Sequence, residues 1–206
     1  MLNKENEYYS ATVLAIAGVD EAGRGPLAGP VCAAAVVFPK DYKNPNIDDS
    51  KKLTAKKRDA LFEEIKEHAL GYGIAMATPE EIDELNIYMA TQKAMKAALA
   101  QIQCDFQLIL TDAMPLKGLK APVVPIIKGD AQCLNIAAAS ILAKVTRDRY
   151  MEELEKKYPQ FKFSVHKGYG TKLHMEELAQ NGPIEGVHRK SFRPISAFYQ
   201  EQLKLF

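Results

Sequence analysis

TVLAIAGVDEAGRGPLAGPVCAAAVVF, residues 12–38, decides the architecture. Residues 12–19 form a short apolar run with β-branched members and predict a buried strand that ends at Asp20. Residues 22–30 hold Gly23, Gly25, Gly29, Pro26 and Pro30, which break any regular element and require a turn. Residues 31–38 return to alanine and valine, a second strand. So short a connection implies that the two strands pair antiparallel.

Outward from this hairpin, residues 41–50 read as a polar loop, and Thr54 is a good N-cap for a helix running to about His68. Residues 71–77 predict a third strand. Thr78-Pro79-Glu80-Glu81 supplies cap, N1 proline and first-turn acids for a helical pattern that runs to about Gln103 and breaks near Asn86. Residues 106–111 are strand-like, with Asp112 at their end. Residues 122–127 predict another short strand, followed by Lys128-Gly129-Asp130. Residues 131–158 form a long helical pattern stopped by Pro159, and two shorter ones follow at 172–180 and 195–205. Three strands and then alternating helices and strands indicate a mixed α/β sheet with helices on its faces and a small C-terminal helical appendage. The domain reading is a flexible tail over 1–11, a core over 12–160, a C-terminal helical segment over 161–201, and a terminal peptide over 202–206.

The composition narrows the function. At 206 residues, 47% hydrophobic and 26% charged, the chain has enough apolar content for a core without disulfides or a structural metal. No apolar stretch approaches the roughly 18 residues of a spanning helix, and the polar start lacks a signal-peptide run. Cys32, Cys104 and Cys133 are odd in number and match no zinc spacing, which fits reduced thiols and a cytoplasmic protein. Membrane, secreted and zinc-finger classes are thereby excluded, and monomer is the default. Net charge is only +1, but residues 113–149 carry six basic side chains against two acids. Local basic stretches of this kind suit a polyanion bound on one face, but charge alone fits a solvated helix face better.

Isolated acids fall where strands end: Asp20 and Glu21 after the first, Asp112 after the central one, and Asp130 before the long helix. Ligands of α/β sheets gather at such ends. Four converging carboxylates need a counter-charge, which hard divalent cations provide. Two such ions about 4 Å apart would activate a water and stabilise the leaving oxygen of a phosphodiester. Against this, any one of the acids could be a helix cap, and adjacent strand residues point to opposite faces. Asp20 and Glu21 share one site only if the chain turns there.

Residues 19–31 (VDEAGRGPLAGPV) and 48–53 (DDSKKL) resemble the ribonuclease HII family, as do TDA at 111–113 and KGDA at 128–131. AASILAKVTRDR at 138–149, HKGYGTKLH at 166–174 and HRKSFRPI at 188–195 complete the resemblance, in the family's order and over nearly the whole chain. It implies an RNase H-like fold, a mixed five-stranded sheet flanked by helices with a C-terminal helical segment. The implied activity is hydrolysis of the RNA strand of RNA–DNA hybrids and cleavage 5′ to single ribonucleotides embedded in DNA, with Mg²⁺ or Mn²⁺ and two ions. Asp20, Glu21, Asp112 and Asp130 match the family's catalytic, metal-binding carboxylates; Asp20, which ends the first strand at the centre of the motif, is the choice for bridging ligand, with the other three undivided between the ions. Gly23, Arg24 and Gly25 match its sensor of the ribose 2′-hydroxyl, and Tyr169 matches a tyrosine that packs on the sugar. Lys51, Lys52, Lys144, and Arg189 with Ser191 are phosphate-contact candidates, and Ser140 shares a helix face with Lys144. His166, His174 and His188 read as structural or phosphate-side groups. The related ribonuclease HIII branch carries an added N-terminal domain, for which the dozen residues before the first strand leave no room. An RNase H-like DNA nuclease and a non-catalytic adaptor are the alternatives; the Gly-Arg-Gly run argues against the first and the four acids against the second. Gln202, Leu203, Leu205 and Phe206 resemble the peptide with which bacterial repair proteins dock on their β sliding clamp.

Overall fold

The computed structural model describes residues 2–48, 50 and 53–203, with side chains as far as residue 199. Five strands form one sheet in the order β3-β2-β1-β4-β5: β1 (Ile16–Ala22), β2 (Val31–Val37), β3 (Gly71–Ala77), β4 (Leu108–Asp112) and β5 (Val123–Ile126). β1–β2 and β2–β3 are antiparallel, whereas β4 and β5 run parallel to β1. The helices are α1 (Ala55–His68), α2 (Pro79–Leu85), α3 (Ile87–Leu99), α4 (Leu134–Lys157), α5 (Phe163–His166), α6 (Lys172–Asn181) and α7 (Arg193–Leu203). The mixed sheet with flanking helices is the architecture expected from the sequence. Among the described residues no helix is long and apolar enough to cross a membrane.

β2 is buried along its whole length because both of its faces are covered. Cys32, Ala34 and Val36 join Phe62 and Ile65 of α1 and Ile141 and Leu142 of α4 in one core; Ala33, Ala35 and Val37 join Ala94, Met95 and Ala98 of α3 in the other. The strand reads as a continuous apolar run for that reason. Asn135 fastens α4 to the central strand by donating its Nδ2 to the Ile16 carbonyl at 2.6 Å.

The helix starts follow their local chemistry. Thr54 Oγ1 caps α1, and Thr78 with Glu81 forms a reciprocal capping box on α2. The expected break at Asn86 is a left-handed residue (φ 67°) whose Oδ1 accepts from the Tyr88 and Met89 amides, ending α2 and capping α3 in one step. β1 begins later than expected and runs further. The Gln107 Oε1 accepts the amides of Leu14 and Ala15, so the ladder with β4 starts only at Ile16, while β2 keeps pairing as far as Ala22.

Within the segment expected as a flexible tail, the structure has a turn tied to the body of the protein. Lys4–Glu7 form a 3₁₀ turn, and the buried Glu5 carboxylate accepts the Leu134 amide at 2.8 Å. Lys4 reinforces this, its Nζ donating to Gln132 Oε1 at 2.8 Å. Glu5 thus satisfies an amide at the open N-terminus of α4, where a negative charge is favourable.

Candidate active site

β4 lies beside β1 in parallel register with Val19 opposite Thr111, so Asp20 and Asp112 stand at the same height at the sheet's C-terminal edge. The next strand, β5, leads through left-handed Lys128 into a 3₁₀ turn, Gly129–Ala131, that carries Asp130. The Gly129 amide donates to Asp112 Oδ1 at 2.8 Å, tying that turn to β4. Asp20, Asp112 and Asp130 each offer one oxygen, and these atoms lie within 4.8 Å of one another. Asp20 and Asp130 are each 5% exposed. Three buried-edge carboxylate oxygens at that spacing fit a hard cation.

The electrostatics agree. Burial, then the neighbouring Glu21 charge, hold the Asp20 carboxyl well above the usual carboxylate range. The Asp112 charge adds to the rise, against which a hydrogen bond from Ser140 and one from the Glu21 amide (2.7 Å) act. A divalent cation would reverse this penalty by favouring the ionised form. β1 does not turn at residues 20–21: Asp20 faces Ala34 and Glu21 faces Ala33 in unbroken register. Glu21 therefore stands outside the three-oxygen cluster, beside it, with Oε1 3.4 Å from Arg24 Nη1.

Two buried arginines shape the glycine-rich turn. Arg189, 0% exposed, donates through Nη2 to the Gly23 carbonyl (2.6 Å), through Nη1 to Arg24 (2.9 Å), and through Nε and Nη2 to Gly29 (3.0 and 2.8 Å). Arg147 on α4 donates to the carbonyls of Pro30 (2.9 Å), Ala28 (3.1 Å) and Lys167 (3.0 Å). Gly23 sits at φ 93° with the Arg147 side chain where a Cβ would be, so the turn admits only glycine there. Leu27 donates its amide to Gly168, and Gly29 its amide to Val187, stitching the turn to the C-terminal segment. Across it stands Tyr169, 45% exposed, whose ring edge lies 3.7 Å from where a Gly25 Cβ would be.

The family model described as Ribonuclease HII matches residues 17–195. The chain belongs to the ribonuclease HII family. Its activity is accordingly that of a ribonuclease H endonuclease acting on RNA–DNA hybrids. The Ribonuclease HII of Bacillus mycoides is 50% identical over 201 residues, covering 98% of this chain and 77% of that one. Among solved structures, ribonuclease H2 from Pyrococcus horikoshii superposes with a TM-score of 0.78 at 29% identity, covering 92% of this chain and 99% of its own. RNase HII from Archaeoglobus fulgidus, solved as a complex with PCNA, superposes with a TM-score of 0.71 at 25% identity, covering 93% and 100%.

Several ribonuclease HII site residues expected from sequence occupy other surroundings than a phosphate contact. Arg189 cannot reach a phosphate, because its guanidinium is buried under the glycine turn and engaged by three carbonyls. Burial, then the nearby Arg147 charge, lowers it to about 9. Ser191 donates its hydroxyl to Asp83 Oδ1 at 2.6 Å and so anchors its loop to α2. Ser140 is buried, 3.0 Å from the Ser50 hydroxyl and bonded to Asp20, which makes it a support of the carboxylate. Lys144 is partly exposed and paired with Asp148 at 2.7 Å. Lys51, Lys52, Leu205 and Phe206 lie outside the described residues, as do the side chains of Gln202 and Leu203. Cys32 and Cys133 are core residues as expected, and burial pushes each thiol up to about 12.

Proposed function

We propose that this chain hydrolyses the RNA strand of hybrids and also cuts 5′ to single ribonucleotides in duplex DNA, as in ribonucleotide excision or primer removal, by two-metal-ion chemistry. The observation that carries the reading is a juxtaposition: three aspartate oxygens within 4.8 Å of one another, next to a Gly23-Arg24-Gly25 turn pinned from below.

Asp20, Asp112 and Asp130 would hold the ions, Asp20 between them, with Glu21 beside the cluster as a further ligand. Bound there, Mg²⁺ or Mn²⁺ supplies an acidified water for attack and positive charge for the leaving 3′-oxygen. The chain's own residues choose the bond. Because peptides are trans and planar, an N–H points opposite to the carbonyl of its own peptide unit. Arg189 draws the Gly23 and Arg24 carbonyls inward, so the Arg24 and Gly25 amides point away from it, a fixed pair of donors for a 2′-hydroxyl. Tyr169, exposed beside Gly25, offers a ring face to the sugar. Lys144 and the lysines at 51 and 52 would lie along the phosphate backbone.

The chemistry is tested on a hybrid with labelled RNA in Mg²⁺, Mn²⁺ and EDTA. Cleavage in either metal, none in EDTA, and 5′-phosphate and 3′-hydroxyl ends are expected. Metal-independent cleavage leaving a 2′,3′-cyclic phosphate would overturn the reading, since the nucleophile would then be the substrate's own hydroxyl.

The end of the chain, Gln202 to Phe206, would dock on a β sliding clamp, its leucines and phenylalanine filling an apolar pocket. The PCNA complex of the Archaeoglobus fulgidus relative supports a clamp as partner. Removing residues 202–206 should abolish capture by the clamp without slowing cleavage of a free hybrid; undiminished capture would end the proposal.

A further inference from the structure

Tyr169 follows α5 in a turn whose backbone is held by histidine rings on both sides. The Gly168 amide donates to His166 Nδ1 at 3.1 Å, and the Tyr169 carbonyl lies 3.0 Å from His174 Nδ1. His174 Nε2 is 3.1 Å from His188 Nε2, and His188 Nδ1 accepts the Ile184 amide at 2.9 Å.

Backbone amides can only donate, so they fix every proton in this chain. His188 receives at Nδ1 and therefore carries its proton on Nε2. That proton points at His174 Nε2, which must accept, leaving the His174 proton on Nδ1, aimed at the Tyr169 carbonyl. His166 likewise receives at Nδ1 and donates Nε2–H to Glu177 Oε2 at 2.9 Å. A second proton on His188 or His174 would set two N–H groups against each other. No ring nitrogen in the set is left to ligate a metal.

The surroundings enforce neutrality. The His166 and His174 rings stack at 4.1 Å; Phe163 packs against all three histidines and Phe161 against His174 and His188. Burial is the main cause that lowers His174 to about 4 and His188 to about 3, with neighbouring imidazoles adding to it. The nearby carboxylates, Glu177 and Glu155, act chiefly on His166. His188 is also the residue before Arg189 and bridges to Ala28, so one short segment supports both the glycine turn and the tyrosine turn.

We propose that His188 and His174 form a relay of two neutral imidazoles that fixes the Tyr169 backbone, and with it the ring beside Gly25, and so serve as positioning residues for ribonucleotide recognition. This rests on the reading that Tyr169 packs on the sugar.

The test compares His174→Asn, His174→Gln, Tyr169→Ala and the double variant His174→Gln/Tyr169→Ala on a duplex with one ribonucleotide. Asparagine places an amide N–H where Nδ1–H was, and glutamine places its amide where Nε2 was. His174→Gln and Tyr169→Ala should each raise KM about tenfold, with kcat within about twofold of wild type. His174→Asn should recover most of that loss, and the double variant should be no worse than Tyr169→Ala. Multiplying effects in the double variant, or equal damage from asparagine and glutamine, would overturn the relay while leaving the tyrosine reading intact. An unchanged KM in Tyr169→Ala would overturn the tyrosine reading and the relay with it. Nitrogen-15 NMR of the unmodified protein is independent of any variant's folding. At neutral pH His188 should appear as the Nε2–H tautomer and His174 as the Nδ1–H tautomer, and an Nε2–H or cationic His174 would refute the proposal.

Discussion

Asp20→Asn should leave an RNA–DNA hybrid bound and essentially uncut, with kcat lower by about 10³-fold or more. Loss of an outer-shell partner of a metal ligand costs about 10–100-fold, and Asp20 is itself one of the three residues of the oxygen cluster. The substitution is close to isosteric and keeps an oxygen for the Glu21 amide, so the strand should not move. It removes the charge that a cation needs. A second consequence has the opposite sign. Burial and the Glu21 and Asp112 charges raise the Asp20 carboxyl above its unfolded value, so ionised Asp20 costs stability once the pH exceeds that unfolded value. Metal-free Asp20→Asn should therefore melt above metal-free wild type at neutral pH, and added Mg²⁺ should narrow the difference. Wild-type-like turnover would remove Asp20 from the site.

Arg189→Lys should cost both stability and rate. The guanidinium serves the carbonyls of Gly23, Arg24 and Gly29 at once, and each buried acceptor left without a donor costs about 1–3 kcal/mol. Lysine is a point donor on a flexible stem and cannot reproduce the planar fork. Urea unfolding should show a midpoint shift equivalent to several kcal/mol, on the order of two unsatisfied carbonyls. With the Arg24 and Gly25 amides no longer fixed, kcat/KM on hybrid should fall by about 10²-fold even where the variant is fully folded, the typical effect of about 1 Å of misplacement. Wild-type stability and rate in this variant would mean that the turn keeps its shape without the fork.

What the sequence disclosed and what it withheld divide along the length scale of the interactions. Thr54, Thr78 and Asn86 cap helices through bonds to residues two or three positions away, so their roles are visible in a short window. An acid after a strand is also a local pattern, but alone it leaves a capping role open for Asp20 and Asp112; the family resemblance singles them out, and parallel register brings the two level. Arg189 was not. Its partners lie 160 to 166 residues away, and an arginine satisfied by carbonyls has the same letter as one facing a phosphate. Arg147, hidden in a helix whose neighbours suggested a basic surface, eluded the reading for the same reason. Nothing local marks Glu5 as an anchor, because its partner, the Leu134 amide, is 129 residues distant. Of the histidines, sequence offered only their spacing, which argued against zinc; the stacking that makes them one unit is tertiary.

On the proposed reading, the aspartate cluster and the Gly23-Arg24-Gly25 turn act on the same nucleotide, one holding metal and the other reading the sugar. The most direct test uses three DNA duplexes of identical sequence, one with a single ribonucleotide, one with a 2′-O-methyl group at that position, and one all-DNA, each with Mg²⁺. Cleavage 5′ to the ribonucleotide alone, suppressed by EDTA, is the expected result. Comparable cutting of the all-DNA duplex would contradict the account, because the turn would then be reading no 2′-hydroxyl.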